Sequence, residues 1–212
     1  MKKGILCIAM ALLFMGCESE SYETGDGSLS YLTECFGMLH TIEAQTADYV
    51  VTDSGTKVVF DNPAAVSWAE TADSLYRVQA YYKAKDNSVE PIALNQVGVA
   101  QLYDANKLNS IPTDPLTFIS AWRGGGYLNV AFQVKTGKQE GEVEAQIIGF
   151  VRDSVRLVDN KVVSYVRMLH AQNNQPQYYS VRSYASIAWP ADCDRMVLTV
   201  NDYDGIKSKT VE

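Results

Sequence analysis

No stretch between Ser28 and Glu212 sustains a helical period. The chain runs instead in short apolar or alternating segments, rich in β-branched and aromatic residues and cut by Gly, Asn, Asp and Pro. Such a pattern is that of strands and turns, and it confines the fold to the all-β class. "LSYLTECFGMLHTIEA" predicts one long or kinked strand with a break at Gly37. "DYVVTDSGTKVVF" predicts a hairpin around Asp53-Ser54-Gly55, where glycine supplies the positive φ of a tight turn. "LYRVQAYYKA" alternates, so that Tyr76, Val78, Ala80 and Tyr82 share one face and Arg77, Gln79, Tyr81 and Lys83 the other. "EPIALNQVGVAQLY" predicts another long strand with Gly98 as a bulge. The one helix-tolerant segment is residues 63–75, with room for one or two turns.

The texture changes at "DANKLNSIPTDP", a polar, turn-rich stretch with two prolines, which predicts a domain boundary. Before it, in residues 29–104, lie about five strand-like runs, a number suited to a small closed barrel. After it, in residues 113–212, a second series begins with "GYLNVAFQVK", which places Leu128, Val130, Phe132 and Val134 on one face. Four further runs follow at short intervals, and such spacing predicts a β-sandwich.

The amino terminus is of another kind. Lys2 and Lys3 precede an apolar run over residues 4–15, which is signal-peptide length and short of the ~20 apolar residues that a spanning helix needs. It stops at Gly16-Cys17, and acid follows. This resembles the bacterial lipoprotein box, with Phe14 in place of the favoured Leu and the bulky Met15 where a small residue is usual. The resemblance implies cleavage after residue 16 and diacylation of Cys17, so that several acyl chains hold the protein at a membrane. Residues 17–28 are polar and acidic and predict a disordered tether. They also resemble the acidic stretch that surface lipoproteins of Bacteroidota carry after the lipidated cysteine, which implies the outer face of the outer membrane. A plain spacer on a periplasm-facing lipoprotein is the alternative.

Removal of residues 1–16 takes away two of the 18 Lys and Arg and none of the 25 Asp and Glu, which leaves a formal charge of −9. So acidic a chain is a poor partner for nucleic acid or an anionic membrane surface, both of which reward Lys and Arg. Of the four cysteines, Cys7 leaves with the signal and Cys17 carries lipid. Cys35 and Cys193 remain, either as a disulfide clip between the two halves or as two buried thiols.

Candidate chemistry is sparse. Asp53-Ser54-Gly55-Thr56 matches the short aspartic-protease motif, but a second copy, needed for two carboxylates to share a proton, is absent. Asn201, Asp202 and Asp204, with Asp192 and Asp194 near in sequence, could hold Ca²⁺ loosely, although the loop lacks the closing Glu of an EF-hand. His40 and His170 have no ligand-spaced partner for zinc. No nucleophile elbow, phosphate loop or dinucleotide fingerprint occurs, so neither a cofactor nor a resident metal is expected. Trp122, Tyr178, Tyr184 and Trp189, with Arg182 among them, are candidate contacts for a ligand or partner, and equally candidates for core packing.

Asp114-Pro115, Trp122, the glycines 124–126 and Tyr127-Leu128-Asn129-Val130 together resemble the signature of the NigD-like lipoproteins of Bacteroidota. The lipoprotein signal and the "DYVVTDSGTKVVF" hairpin fall where that family has them. The resemblance implies an N-terminal OB-like barrel and a C-terminal β-sandwich. It also implies a role linked by gene association to bacteriocin immunity, and it carries over no functional residues. The first reading of function is therefore a non-enzymatic, lipid-anchored module that binds a protein partner. A glycan-binding accessory of a polysaccharide-uptake system is the second. An enzyme, the third, would need a constellation that assembles only in three dimensions.

Overall fold

Leu32–Glu43 forms β1, a strand that runs unbroken through Gly37. The computed structural model describes residues 32–85, 88–138 and 144–212; the signal, Cys17 and the acidic tether lie outside them. Gly37 is a point of close approach, not a break: a Cβ there would strike the Val51 carbonyl and Val50 of the neighbouring strand. β1 pairs antiparallel with β2 (Thr46–Thr52) on one side and β4 (Ser74–Lys85) on the other. With β3 (Lys57–Ala65) and β5 (Ser88–Gln96) the sheet order is β3-β2-β1-β4-β5. The sheet curls into a half-barrel whose outer strands meet: Asp61 of β3 accepts hydrogen bonds from the Ser88 hydroxyl and, at 3.0 Å, the Val89 N–H of β5. Leu39, Val50, Phe60 and Val78 fill it.

Residues 63–75 do not form the helical turn expected of them. Pro63 to Ala65 finish β3, and the loop that follows plugs the end of the barrel with Val66 and Ala69. One local turn bond runs from the Ala69 N–H to the Val66 carbonyl (3.0 Å), and two more go to Gln45, which donates to the Ala69 carbonyl (2.6 Å) and accepts from the Val66 N–H (2.8 Å). A single turn closes locally, and tertiary bonds to Gln45 take the place of the further bonds a helix would need.

Val97 is buried, and beyond it the chain changes sheets. β6 (Gly98–Ala100) pairs parallel with β12 (Tyr179–Ala188), and β7 (Leu102–Asp104) pairs parallel with β10 (Ile147–Val158). The Gly98 bulge is therefore a changeover, and residues 98–104, read from sequence as the end of the barrel, bond to the strands that follow. β8 (Thr117–Gly124) and β9 (Tyr127–Thr136) complete one sheet in the order β6-β12-β9-β8. β11 (Lys161–Ala171), β13 (Arg195–Asp202) and β14 (Gly205–Val211) complete the other, β14-β13-β11-β10-β7. The two face each other over Leu128, Val130, Phe132, Phe150, Met168, Ile187, Met196 and Leu198, the core of a sandwich.

Among the strands buried on both faces are β4 and β9. β4 turns Val78 and Ala80 into the barrel and buries Arg77 and Gln79 on the opposite face; β9 turns Leu128, Val130 and Phe132 into the sandwich and buries Asn129 and Ala131. The outward faces of the two strands meet, so the polar half of each alternation lies in an internal junction.

Candidate functional site

A concavity lies in the sandwich, where its two sheets part. β12 pairs with β9 over ten continuous residues without a register shift. Ser183 lies opposite Phe132, Ala185 opposite Val130 and Ile187 opposite Leu128, so the odd positions of β12 face the sandwich interior. Along that row burial decays. Ile187 is fully buried, whereas Val181 is 40% and Tyr179 52% exposed although both point inward. The reason is that β6 and β7 close the side of the sandwich only over Ala185–Ile187 and Phe150–Arg152.

The opening is a cavity of about 350 Å³ lined from both sheets by Phe132, Val134, Ile148, Ser183, Ala185 and Gln146. Its walls are apolar with few polar atoms, the usual make-up of a binding cavity. Gln146 is held in place: its amide donates to the Lys135 carbonyl (2.7 Å), and its Oε1 lies 3.2 Å from His170 Nε2. His170 is buried, with Nδ1 3.2 Å from the Asp114 carbonyl. Among the described residues no group of three His, Cys, Asp or Glu is placed to hold a metal.

The second feature is the junction between β4 and β9. Arg77, whose side chain is wholly buried, forms a two-pronged ion pair with Asp53 and donates from Nη2 to Asn129 Oδ1 at 2.7 Å. Ser186 donates to the same Asn129 oxygen (2.7 Å). The Asp53 carboxylate sits against the glycine turn, where a Cβ on Gly124 or Gly125 would collide with it. Gly125 (φ 58°) and Gly126 (φ 79°) make the two-residue turn joining β8 to β9. The three glycines therefore serve both the turn and the close approach, and Asp53 serves an ion pair instead of a protease dyad. Tyr127 packs its ring 4.7 Å from the Arg77 guanidinium carbon.

The aromatic candidates separate. Trp122 and Tyr184 both meet Phe36 of β1 edge-on, with ring centroids 5.1 and 5.2 Å away, and so belong to the junction. Trp189 is buried, donates to the Cys193 carbonyl (2.7 Å) and lies under Arg123. Tyr178 stands 76% exposed beside Gly137. Tyr184 also lines the cavity, and among the four it alone touches both features. Sequence reading passed over Val181, Gln146 and Gly98–Ala100; the available signal was the inward parity that Val181 shares with Ser183 and Ala185.

Of the two alternatives for Cys35 and Cys193, a disulfide clip or free thiols, the structure has free thiols. Cys35 packs beside the barrel core and Cys193 inside the sandwich core, and both thiols are free. Burial, reinforced by the Asp53 carboxylate, pushes the Cys35 thiol up to about 11. Two of the carboxylates considered for Ca²⁺ are already engaged. Asp202 accepts from the N–H groups of Phe118 (2.7 Å) and Asp204 (3.0 Å) and pairs with Lys207, while Asp194 accepts from Val162 N–H (2.7 Å). His40 binds Asp48 (2.6 Å) and Asp73 (3.2 Å) and stacks on Tyr49.

Residues 98–211 match the family model described as the NigD-like C-terminal beta sandwich domain. Among solved structures, a NigD-like immunity protein from Bacteroides caccae ATCC 43185 superposes with a TM-score of 0.62 at 18% identity, covering 84% of this chain and 90% of that one. A protein provisionally named as toxin-related, from Parabacteroides distasonis ATCC 8503, gives 0.59 at 14% identity, with 84% and 91% covered. A provisionally named lipoprotein from Bacteroides fragilis NCTC 9343 gives 0.57 at 8% identity, with 85% and 98% covered. At these identities the likeness is one of fold. Among curated proteins nothing matches the sequence.

Proposed function

The chain belongs to the NigD-like family, and from that premise we propose that it is a lipid-anchored, non-enzymatic module that binds a protein partner at the cell envelope, in the manner of a bacteriocin-immunity protein. The observation that carries this reading is the open side of the sandwich, where inward-pointing apolar residues, Tyr179 and Val181, are left in contact with water beside an apolar cavity. Exposed apolar surface around a concavity marks a binding surface. Titratable groups of the kinds that catalysis uses are engaged in structure: Asp53 with Arg77, Asp202 with backbone N–H groups, His170 with Gln146. The names of two structural neighbours, an immunity protein and a toxin-related protein, agree with a protein partner.

The anchor is Cys17, and the outer face of the outer membrane is its place. Cys17→Ser should move the protein from the membrane to the soluble fraction and abolish incorporation of labelled fatty acid. Retention of both would remove the anchor. The partner is tested by cross-linking the tagged, lipidated chain in its own cells: one stoichiometric protein is expected. Tyr178 and Tyr179, adjacent and exposed, favour the glycan reading. A capture that yields no protein, joined to thermal stabilisation by a polysaccharide fragment, would replace the first reading with that one.

A further inference from the structure

We propose that the free edge of β12 over Tyr179–Tyr184, with the cavity beside it, is a strand-addition site: an extended partner segment of alternating apolar side chains and acidic flanks lies alongside β12 and places apolar side chains in the gap between the sheets. This rests on the protein-partner reading and specifies its mode.

Four observations converge. First, the lane exists and is half filled. β6 occupies it opposite Ala185–Ile187, and among the described residues no strand continues it opposite Tyr179–Tyr184. Those residues offer ~20 Å of edge at ~3.3 Å per residue. Every second residue of a strand in an antiparallel pair turns its N–H and C=O away from the partner, so the lane presents unpaired donors and acceptors that an extended backbone satisfies.

Second, the edge is unprotected. Natural edge strands are blunted by bulges, prolines, short length or inward charges. Here the β12–β9 ladder has no register shift, and the segment "YSVRSY" has no proline and one charge, Arg182, on the outward parity.

Third, the inward row beside the lane is apolar and open. Val181 lies opposite Val134, and the cavity continues to Ile148 and Phe132. Side chains at alternate positions of an added strand would reach it, as the Gly98 and Ala100 positions of β6 do further along.

Fourth, the edge itself carries positive charge on an acidic chain. Arg182 is exposed on the strand itself and Lys138 follows the end of β9, whereas Lys135, opposite Ser180, carries its ammonium over the Tyr203 ring. Arg182 and Lys138 form no ion pair with the described residues; the nearby carboxylate of Glu34 accepts from Gln79 instead. A partner segment flanked by Asp or Glu complements this charge.

The test uses the full chain and a defined probe, a ten-residue peptide of alternating Val and Thr with Glu at both ends. Fluorescence anisotropy reads binding, and hydrogen exchange reads protection of the β12 amides. Saturable binding with at least tenfold slower exchange at residues 179–184 is expected. Val181→Arg should weaken binding tenfold or more. Arg182→Glu should weaken it and favour a Lys-flanked peptide. Ile206→Arg, exposed on β14, should leave it unchanged. Three results would overturn the proposal: no saturable binding by the native chain, binding that Val181→Arg and Arg182→Glu both leave intact, or concentration-dependent protection without peptide, which would give the edge to a second copy. A chain that captures a protein in cells but fails here keeps the partner reading and loses the strand-addition site. One that captures nothing loses both.

Discussion

Arg77 is the residue on which most of the internal polar chemistry converges. Its charge is sealed from water and answered by Asp53, with Asn129 as a further acceptor. Removing one partner of such a pair leaves an unpaired buried charge, a cost of ~3–5 kcal/mol. Arg77→Met should therefore lower unfolding stability by about that amount in urea titration, and far less when Asp53→Asn is added, because the stranded carboxylate is then gone. The adjacent glycines separate two effects. Gly125 has a left-handed φ and also abuts the Asp53 carboxylate, whereas Gly126 has a left-handed φ and open space around it. Gly126→Ala should cost ~1–2 kcal/mol, the strain of that backbone region alone. Gly125→Ala should cost clearly more, because it also displaces Asp53; equal costs would mean that the close approach carries no energy.

His40 makes a pH-dependent clasp at the same scale. The hydrogen bond to Asp48, and then that to Asp73, raise its pKa above the ordinary histidine value. A raised folded-state pKa contributes stability that is full below the unfolded value of ~6.5 and is lost as pH rises through the folded value. The native chain should thus exceed His40→Gln in Tm by more at pH 6 than at pH 9. A gap that stays constant would show that the clasp is not ionic.

At the level of elements, the hairpins were legible and the faces were only half so. The turn at Asp53–Thr56 and the alternation of β4 and β9 follow directly from Gly55 and from the spacing of Val78, Ala80, Val130 and Phe132. The other faces carry Arg77, Gln79, Asn129 and Ser186, which in a single sequence look the same as residues facing water. Their burial comes from a contact between strands about fifty residues apart, and no local pattern encodes that. The sheet changeover was hidden likewise. The proline-containing stretch "IPTDP" attracts a boundary, yet Pro112 accepts a bond from the His170 N–H and Asp114 donates to the His170 carbonyl, so it packs along β11. The changeover itself is marked in sequence by little more than Val97-Gly98. For the candidate site, Tyr184 was legible as an aromatic in a strand. The cavity was not, since it exists only where β6 and β7 fall short of covering β12 and β10.

For the whole molecule, the half-barrel and the sandwich share a buried polar and aromatic seam, with Phe36, Trp122 and Tyr184 at one part and Arg77, Asp53 and Asn129 at another. The described residues accordingly belong to one unit, Tyr31–Glu212. Such coupling predicts a single cooperative thermal transition for the native chain, seen alike by calorimetry and by tryptophan fluorescence. Arg77→Met should split or broaden it; two transitions in the native chain would show that the halves fold independently. The seam leaves the open side of the sandwich free, so a partner could bind there without parting the halves.

The most direct measurement is site-specific photo-cross-linking in living cells, with the reactive residue placed at position 181 in the lipidated chain and at position 206 as the control. One discrete protein adduct is expected from position 181 and none from 206. No protein adduct at 181, or the same adducts from both positions, would contradict it.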